Sequence, residues 1–272
     1  MRIWSTMISL DRAVERRACM RDELARAGIA CAFFDAVDAR LGEAALAPDT
    51  LAEGPLGPLH PHDRACTLSH VRAMEAFLET DADVALILED DVHIAPDLAA
   101  WLAEAAAWWP EGAEMVKIER WRDDRLRVLV GPARHHRGRD LRRLLTRHSG
   151  TGGYMISRAG ARKVLGARPY ALPIDHVLFN QAASSVARAL SIWQVTPALV
   201  VQGNDPPGIT PGARPRLSGW PALRRAIKRG WREVSYPLST WMSALSGAAT
   251  FAKIDYLPTV AADLRVLPET RP

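Results

Sequence analysis

Val84-Ala85-Leu86-Ile87-Leu88-Glu89-Asp90-Asp91 decides the fold. An unbroken apolar run this short suits a strand covered on both faces better than a helix. Such a strand needs helices above and below it, which means an α/β sheet. The run stops abruptly in three carboxylates. In an open α/β sheet the carboxyl end of a strand faces the crevice where ligands bind. Three adjacent carboxylates repel one another unless a cation or solvent neutralises them. Glu89 and Asp91, two apart on extended backbone, point to one side. Hard divalent cations such as Mn2+ or Mg2+ take oxygen ligands and bind phosphate at the same time. The plainer reading of the same triplet is an acidic surface turn that caps the next helix.

Outward from this strand the chain keeps an α/β rhythm. Residues 3–10 are apolar and β-prone, and Asp11 suits the N-cap of a helix over residues 12–27 that Gly28 stops. With a second strand over 31–37, the opening reads as a βαβ unit. Residues 41–61, rich in Gly, Pro and Ala, read as a long loop. A helix is expected over 63–79 and another over 97–108. Strands are expected over 114–118, 126–130, 153–157, 191–195 and 198–201, with a helix over 159–165. Residues 134–148 hold six Arg, three His and one Asp. They read as a solvated amphipathic helix, or as a surface facing an acceptor phosphate or a membrane. Beyond Gly203 the pattern dissolves. The expected division is a catalytic domain over 1–203 and a basic, partly helical extension over 204–272.

Hydrophobic residues make up 48% of the 272, enough for a full core and too many for a disordered chain. The net charge of +4 is unevenly spread: seven Arg or Lys and no acid lie between 206 and 232. Within that run Leu223, Ile227 and Trp231 recur every four residues, a helical stripe. Trp220, Trp231 and the cations make an anionic membrane surface a partner that 214–232 suits, and a helix docked on the domain with its arginines in water is the plainer reading. No recognised nucleic-acid motif accompanies them. Three widely spaced cysteines give neither a disulfide framework nor a CxxC zinc pair, and fit a reducing cytoplasm. The first 17 residues lack the long apolar core of a signal peptide. The uncharged stretch 234–252 is diluted by Ser, Thr, Gly and Pro, and is not read as membrane-spanning. The expected location is the cytoplasm, peripheral at the inner face of the membrane.

Six blocks in order resemble one family. They are Ile8-Ser9-Leu10-Asp11-Arg12, Phe33-Phe34-Asp35-Ala36-Val37-Asp38, Ala65-Cys66-Thr67-Leu68-Ser69-His70, Leu86-Ile87-Leu88-Glu89-Asp90-Asp91, Gly153-Tyr154-Met155-Ile156-Ser157-Arg158 and Pro173-Ile174-Asp175. Together they are similar to the lipooligosaccharide glycosyltransferases of family 25, over roughly residues 2–203. Ser9 stands where that family usually has Asn. The resemblance implies a GT-A-like, Rossmann-type fold: a mixed, mostly parallel sheet flanked by helices. It also implies a nucleotide-sugar donor, weighted toward UDP-galactose, a divalent metal (Mn2+ or Mg2+) and inversion at the anomeric carbon. The acceptor would be a lipooligosaccharide or other surface saccharide. Glu89 and Asp91 would hold the metal, and Asp90 would contact the ribose or sugar, or support the metal. Leu10, Asp11, Arg12, Arg16, Ser69 and His70 would lie on the donor side. Asp11, Arg12 and Arg16 read equally as an N-cap and a solvated helix face. Asp175 would take the proton from the acceptor hydroxyl. His176, beside it, reads as base, metal ligand or structural hydrogen-bonder. The adjacent Ser69-His70 is no hydrolase signature, because helix neighbours point apart. A non-catalytic saccharide- or partner-binding protein on the same fold is the rival reading.

Overall fold

The computed structural model describes residues 1–42, 49–52, 59–121, 126–203, 236 and 238–257. The chain opens with β1 (Ile3–Ser9), α1 (Val14–Ala27) and β2 (Ala32–Asp35). After α2 (Pro61–Leu78) come β3 (Val84–Glu89), β4 (Val92–Ile94), α3 (Leu98–Ala103) and α4 (Ala105–Trp108). The middle holds β5 (Met115–Lys117), β6 (Glu119–Arg120), β7 (Arg127–His136), β8 (Arg139–Leu144) and β9 (Gly153–Ser157). Then follow α5 (Arg158–Gly166), α6 (Ile174–Phe179), α7 (Ser185–Ala189), β10 (Ile192–Thr196) and β11 (Val200–Gln202). Last come α8 (Leu238–Leu245) and β12 (Thr250–Lys253).

Nine strands form one sheet in the order β12-β7-β8-β10-β5-β9-β3-β1-β2, and β4-β11-β6 form a small second sheet. The main sheet is mixed. β2, β1 and β3 pair in parallel, as do β10 and β5, and the remaining pairings are antiparallel. The parallel β2-β1-β3 group is the βαβ opening, and it aligns the ends of β1 and β3.

Strand alternation splits the core into two layers. Ala85 and Ile87 face a cluster with Leu68, Met74 and Phe77 of α2 and Val164 of α5. Val84, Leu86 and Leu88 face the other cluster, with Met20 and Leu24 of α1 and Trp101 of α3. Every residue of 84–88 is buried because both faces are covered. Helix ends follow local chemistry. Gly28 takes the left-handed conformation and donates its N–H to the α1 carbonyls. Pro61 starts α2 where a missing N–H costs nothing. Ser157 caps α5 by accepting from the Gly160 N–H.

Several expectations are corrected. Asp11 does not cap α1: the N-cap position is Ala13, with no side-chain bond, and Asp11 pairs with Arg17 instead. The helix expected over 97–108 breaks at Glu104 into α3 and α4. Residues 134–148 form no helix. They build the β7–β8 hairpin, turned by Arg137 and Gly138, both with positive φ. The cations there are used by neighbours: Arg142 pairs with Asp140, Arg134 lies over the Trp193 ring, and buried Arg139 pairs with Asp97. Residues 250–253, placed by the sequence in the extension, pair with β7 as the sheet's edge strand. The basic run 214–232 lies outside the described residues.

A close approach explains the Gly160 of the Ser157-Arg158-Ala159-Gly160-Ala161 block. A Cβ there would stand 2.5 Å from the Glu114 carbonyl oxygen, so α5 packs on the start of β5 only through a bare backbone. At Gly166, in the same helix, nothing lies within 4 Å. Gly160→Ala is expected to destabilise the protein by about 1–3 kcal/mol through overpacking. Gly166→Ala is expected to raise stability by about 0.5 kcal/mol. Chemical denaturation of the two variants checks the pair, and equal effects would refute the close contact.

Candidate active site

A cleft of about 200 Å³ opens at the carboxyl ends of β1 and β3. Leu10, Arg12, Arg16, Ser69, His70, Glu89, Asp90 and Asp91 all line it, with Asp38, His62 and Cys66. The acidic triplet is divided among different partners. Asp90 is buried. One of its oxygens accepts from Ser9 Oγ at 2.6 Å and the other from Arg16 Nη1 at 2.7 Å. Both oxygens are thereby occupied, so Asp90 locks β3 to β1 and α1. Arg12 pairs with Asp38 at 2.5 Å, and that hydrogen bond holds the Asp38 carboxyl below its usual range. Ser69 is a structural pin: its hydroxyl donates to the Ala65 carbonyl and accepts from the Val37 N–H.

Glu89 is the end of a buried polar chain. One oxygen accepts from His70 Nε2 at 3.1 Å and from the Thr151 hydroxyl, and His70 Nδ1 meets the Tyr154 hydroxyl at 2.9 Å. Burial works against the Glu89 charge. The bonds from His70 and Thr151 and the charge of Lys117 outweigh it and hold the group below the usual carboxylate range. An ionised Glu89 assigns the tautomer: Nε2–H donates to Glu89, and Nδ1 accepts from Tyr154. Burial pushes the Tyr154 phenol up, which keeps that proton in place. Burial, with Glu89 and Asp175 nearby, also pushes the Cys66 thiol well up. Cys66 is therefore a neutral thiol and no nucleophile.

Behind this chain lies a buried ion pair that the sequence reading missed. Lys117 Nζ and Glu119 Oε2 are 2.7 Å apart, and both side chains are fully buried. Lys117 also donates to the Gly150 carbonyl and lies 4.1 Å over the Phe179 ring. Burial drives both partners toward neutrality. It pushes Glu119 up to about 7, with Glu89 and Asp91 adding to the effect against the pull of Lys117. Gly150 has φ +85, and a Cβ there would stand 2.5 Å from Glu119 Oε1. The signal was present in Met115-Val116-Lys117-Ile118-Glu119, where two charges alternate with apolar residues and so share a face.

Two sequence candidates stand outside the cleft's lining. Asp11 is exposed. Asp175 opens α6, partly buried, and its Oδ1 accepts from the His176 N–H at 2.8 Å. α6 packs against α2, the helix that carries Cys66, with Ile174 and Val177 in the same core cluster as Ala65 and Leu68. His176 Nδ1 bonds Asn180 at 2.7 Å, a contact within α6. A divalent cation asks for ionised oxygen donors in one cavity. Glu89, held ionised, and Asp91 both line this cleft and offer carboxylate oxygens to it. A Cys66 Sγ, a His70 nitrogen and a Glu89 oxygen also lie within 4.8 Å of one another, a softer set beside the oxygen pair.

The model of Glycosyltransferase family 25 (LPS biosynthesis protein) matches residues 4–178, which span this cleft, its acidic strand end and Asp175. The lacto-N-neotetraose biosynthesis glycosyltransferase LgtB of Neisseria meningitidis serogroup B is 32% identical over 216 residues, covering 72% of this chain and 74% of that protein. The lipooligosaccharide biosynthesis protein lic2B of Haemophilus influenzae is 25% identical over 207 residues, covering 72% and 74%. A solved glycosyltransferase involved in glycosylation of the PBCV-1 major capsid aligns with a TM-score of 0.40 at 12% identity, over 85% of this chain and 100% of that one. The protein is a glycosyltransferase. It belongs to family 25.

The Glu119 carboxyl carries a pH signature. Unfolded, it ionises near 4.3; folded, near about 7. Between those values the folded state holds a proton that the unfolded chain has lost. Stability therefore falls as pH rises through that window, by on the order of 4 kcal/mol, and is flat above it. Melting temperature is expected to drop between about pH 4 and about pH 7, and Glu119→Gln to flatten that drop. An unchanged slope in the variant would mean that Glu119 is already ionised in the fold.

Proposed function

We infer that the enzyme transfers a hexose from a nucleoside diphosphate sugar to a lipooligosaccharide or related surface saccharide, with inversion. UDP-galactose is the donor that the family weighting favours. One observation carries the reading: the donor-side and metal candidates, Asp11 apart, converge on a single cleft at the ends of β1 and β3. That cleft sets carboxylates beside Arg12 and Arg16, a mixture suited to a diphosphate and its counter-cation.

In this reading Glu89 and Asp91 would hold Mn2+ or Mg2+, which when bound would supply positive charge for a diphosphate leaving group. Asp90 contributes by fixing Arg16 and Ser9, and so the geometry of the donor side. Asp175 takes the proton from the acceptor hydroxyl as that oxygen attacks the anomeric carbon. Its support is its place at the start of α6, which packs on α2, and its absence from the cleft lining that holds Glu89 and Asp91. No described helix is long and apolar enough to cross a membrane. A cytoplasmic enzyme working at the inner face of the membrane is the setting proposed for a lipid-linked acceptor.

Asp91→Ala is expected to cut transfer by about a hundredfold or more and to weaken manganese-dependent UDP binding. Full activity in that variant, or in wild type with excess EDTA, would remove the metal from the mechanism. Asp175→Asn preserves size but cannot accept the proton. It is expected to lower kcat by about 10²–10⁴ while leaving donor affinity close to wild type. A parallel loss of donor affinity would make Asp175 a binding residue.

A further inference from the structure

Helix α8 is amphipathic in the wrong sense for a helix docked on a core. Leu238, Trp241, Met242 and Leu245 stand at i, i+3, i+4 and i+7, the spacing of one stripe. That apolar stripe faces outward, with exposures of 74%, 40%, 60% and 87%, and the residue turned inward is Thr240. Phe251 of β12 adds a further ring, 57% exposed. Together they form an apolar patch on a face where a soluble surface normally places charge. No charged residue occurs from 234 to 252. Trp241 and Phe251 also wall a cleft of about 190 Å³ shared with Leu126, Leu129, Arg127 and Arg147.

We propose that this α8–β12 face lies in the surface of an anionic phospholipid bilayer, with Leu238, Trp241, Met242, Leu245 and Phe251 entering the acyl boundary. Charge complementarity selects this occupant. Arg127, Arg147 and Lys253 border the apolar residues. In the sequence, the seven cations of 214–232 immediately precede the helix. Five residues lie between Arg232 and Leu238, so along the chain the basic run ends next to the helix. Anionic headgroups would meet cations at the rim and hydrocarbon would meet the stripe, the pattern of an interfacial helix. A second copy of the chain is a poorer occupant. A two-fold contact through this face would bring the same cationic rims together. The face is also remote from the chemistry. β12 lies six strand spacings from β3, about 29 Å, so it can be altered without touching the cleft.

The patch supplies a grip that salt does not screen, separate from the electrostatic attraction of the basic run. The test is vesicle flotation of the full chain. Its arms are phosphatidylcholine vesicles with and without phosphatidylglycerol, at low salt and at about 1 M NaCl, where the Debye length is about 3 Å. Wild type is expected to float with the anionic vesicles and to remain bound at high salt. The variant Leu238→Ser, Trp241→Ser, Met242→Ser, Leu245→Ser keeps every cation. It is expected to partition at least tenfold less at low salt and to be released entirely at high salt. Should that variant melt early, Leu245→Ser alone, at the most exposed position, is expected to lower partitioning severalfold. Equal flotation of wild type and variants would overturn the proposal. So would a wild-type dimer that the substitutions split, with no vesicle binding, because the face would then join two copies. Transfer to a soluble saccharide acceptor is read in parallel and is expected to match wild type. Absent transfer with intact flotation would count against the functional reading alone, and lost flotation with intact transfer in wild type against this inference alone.

Discussion

Three carboxylates follow one another at the end of β3, and the surrounding structure is arranged to absorb their charge. Two like charges about 5 Å apart repel by about 3 kcal/mol at an effective dielectric of 20. Left alone, a triplet would consume much of the 5–15 kcal/mol margin of an ordinary domain. Different elements answer it. β1 and α1 supply Ser9 and Arg16 to Asp90. α2 supplies His70, and the segment before β9 supplies Thr151, to Glu89. Glu89, Asp90 and Asp91 all line the cleft. The parallel β2-β1-β3 order is what lets α1 and α2 reach one strand end from opposite sides of the sheet.

The Lys117–Glu119 pair behind Glu89 is not there chiefly for stability. A fully buried pair recovers its desolvation cost only with good geometry and further hydrogen bonds. Here Lys117 also binds the Gly150 carbonyl. It fixes the turn at Gly150, and two residues on the Gly152 carbonyl accepts from the Glu89 N–H at 3.0 Å. The pair thus holds the backbone that holds Glu89, and the Lys117 charge helps to keep Glu89 ionised. Its benefit lies in the preorganisation of the carboxylate rather than in the margin of folding.

The parts of the fold legible in the sequence were those governed by a single local rule. The strand at 84–88 was legible because both its faces are covered, so apolar residues run without interruption. The β9 strand and α5 were legible as a short apolar run followed by a helix within one block, while the Ser157 cap and the Gly160 contact came only from the structure. The cleft was legible as a set of residues but not as a set of roles. Nothing local shows that Ser69 pins the Val37 amide, or that Asp90 is occupied on both oxygens. Those are contacts between residues 32 and 81 positions apart. The β7–β8 hairpin was misread for a related reason. Its arginines look solvated in sequence, yet Arg139 is buried against Asp97 and the carbonyls of Pro197, Ala198 and Leu257, all distant along the chain. Charge in a sequence says that a partner is needed and does not say where it lies.

Arg139 and β12 together explain why the outward stripe of α8 is a fixed feature. β7 is ten residues long, and without β12 it would leave a row of unpaired backbone groups at the sheet edge. β12 pairs with it from Thr250↔Val130 to Lys253↔Arg127, and buried Ala249 and Ile254 hold its two ends. Arg139 then clamps the Leu257 carbonyl, and Ala198 bridges to Tyr256. With the chain secured on that side, four residues connect α8 to β12, too few for the helix to move far from the sheet. Thr240 faces inward, so the positions i, i+3, i+4 and i+7 must face away from the sheet. The exposure of Leu238, Trp241, Met242 and Leu245 therefore follows from the pairing that closes the sheet. A helix that only filled space there would have placed polar residues at those four positions.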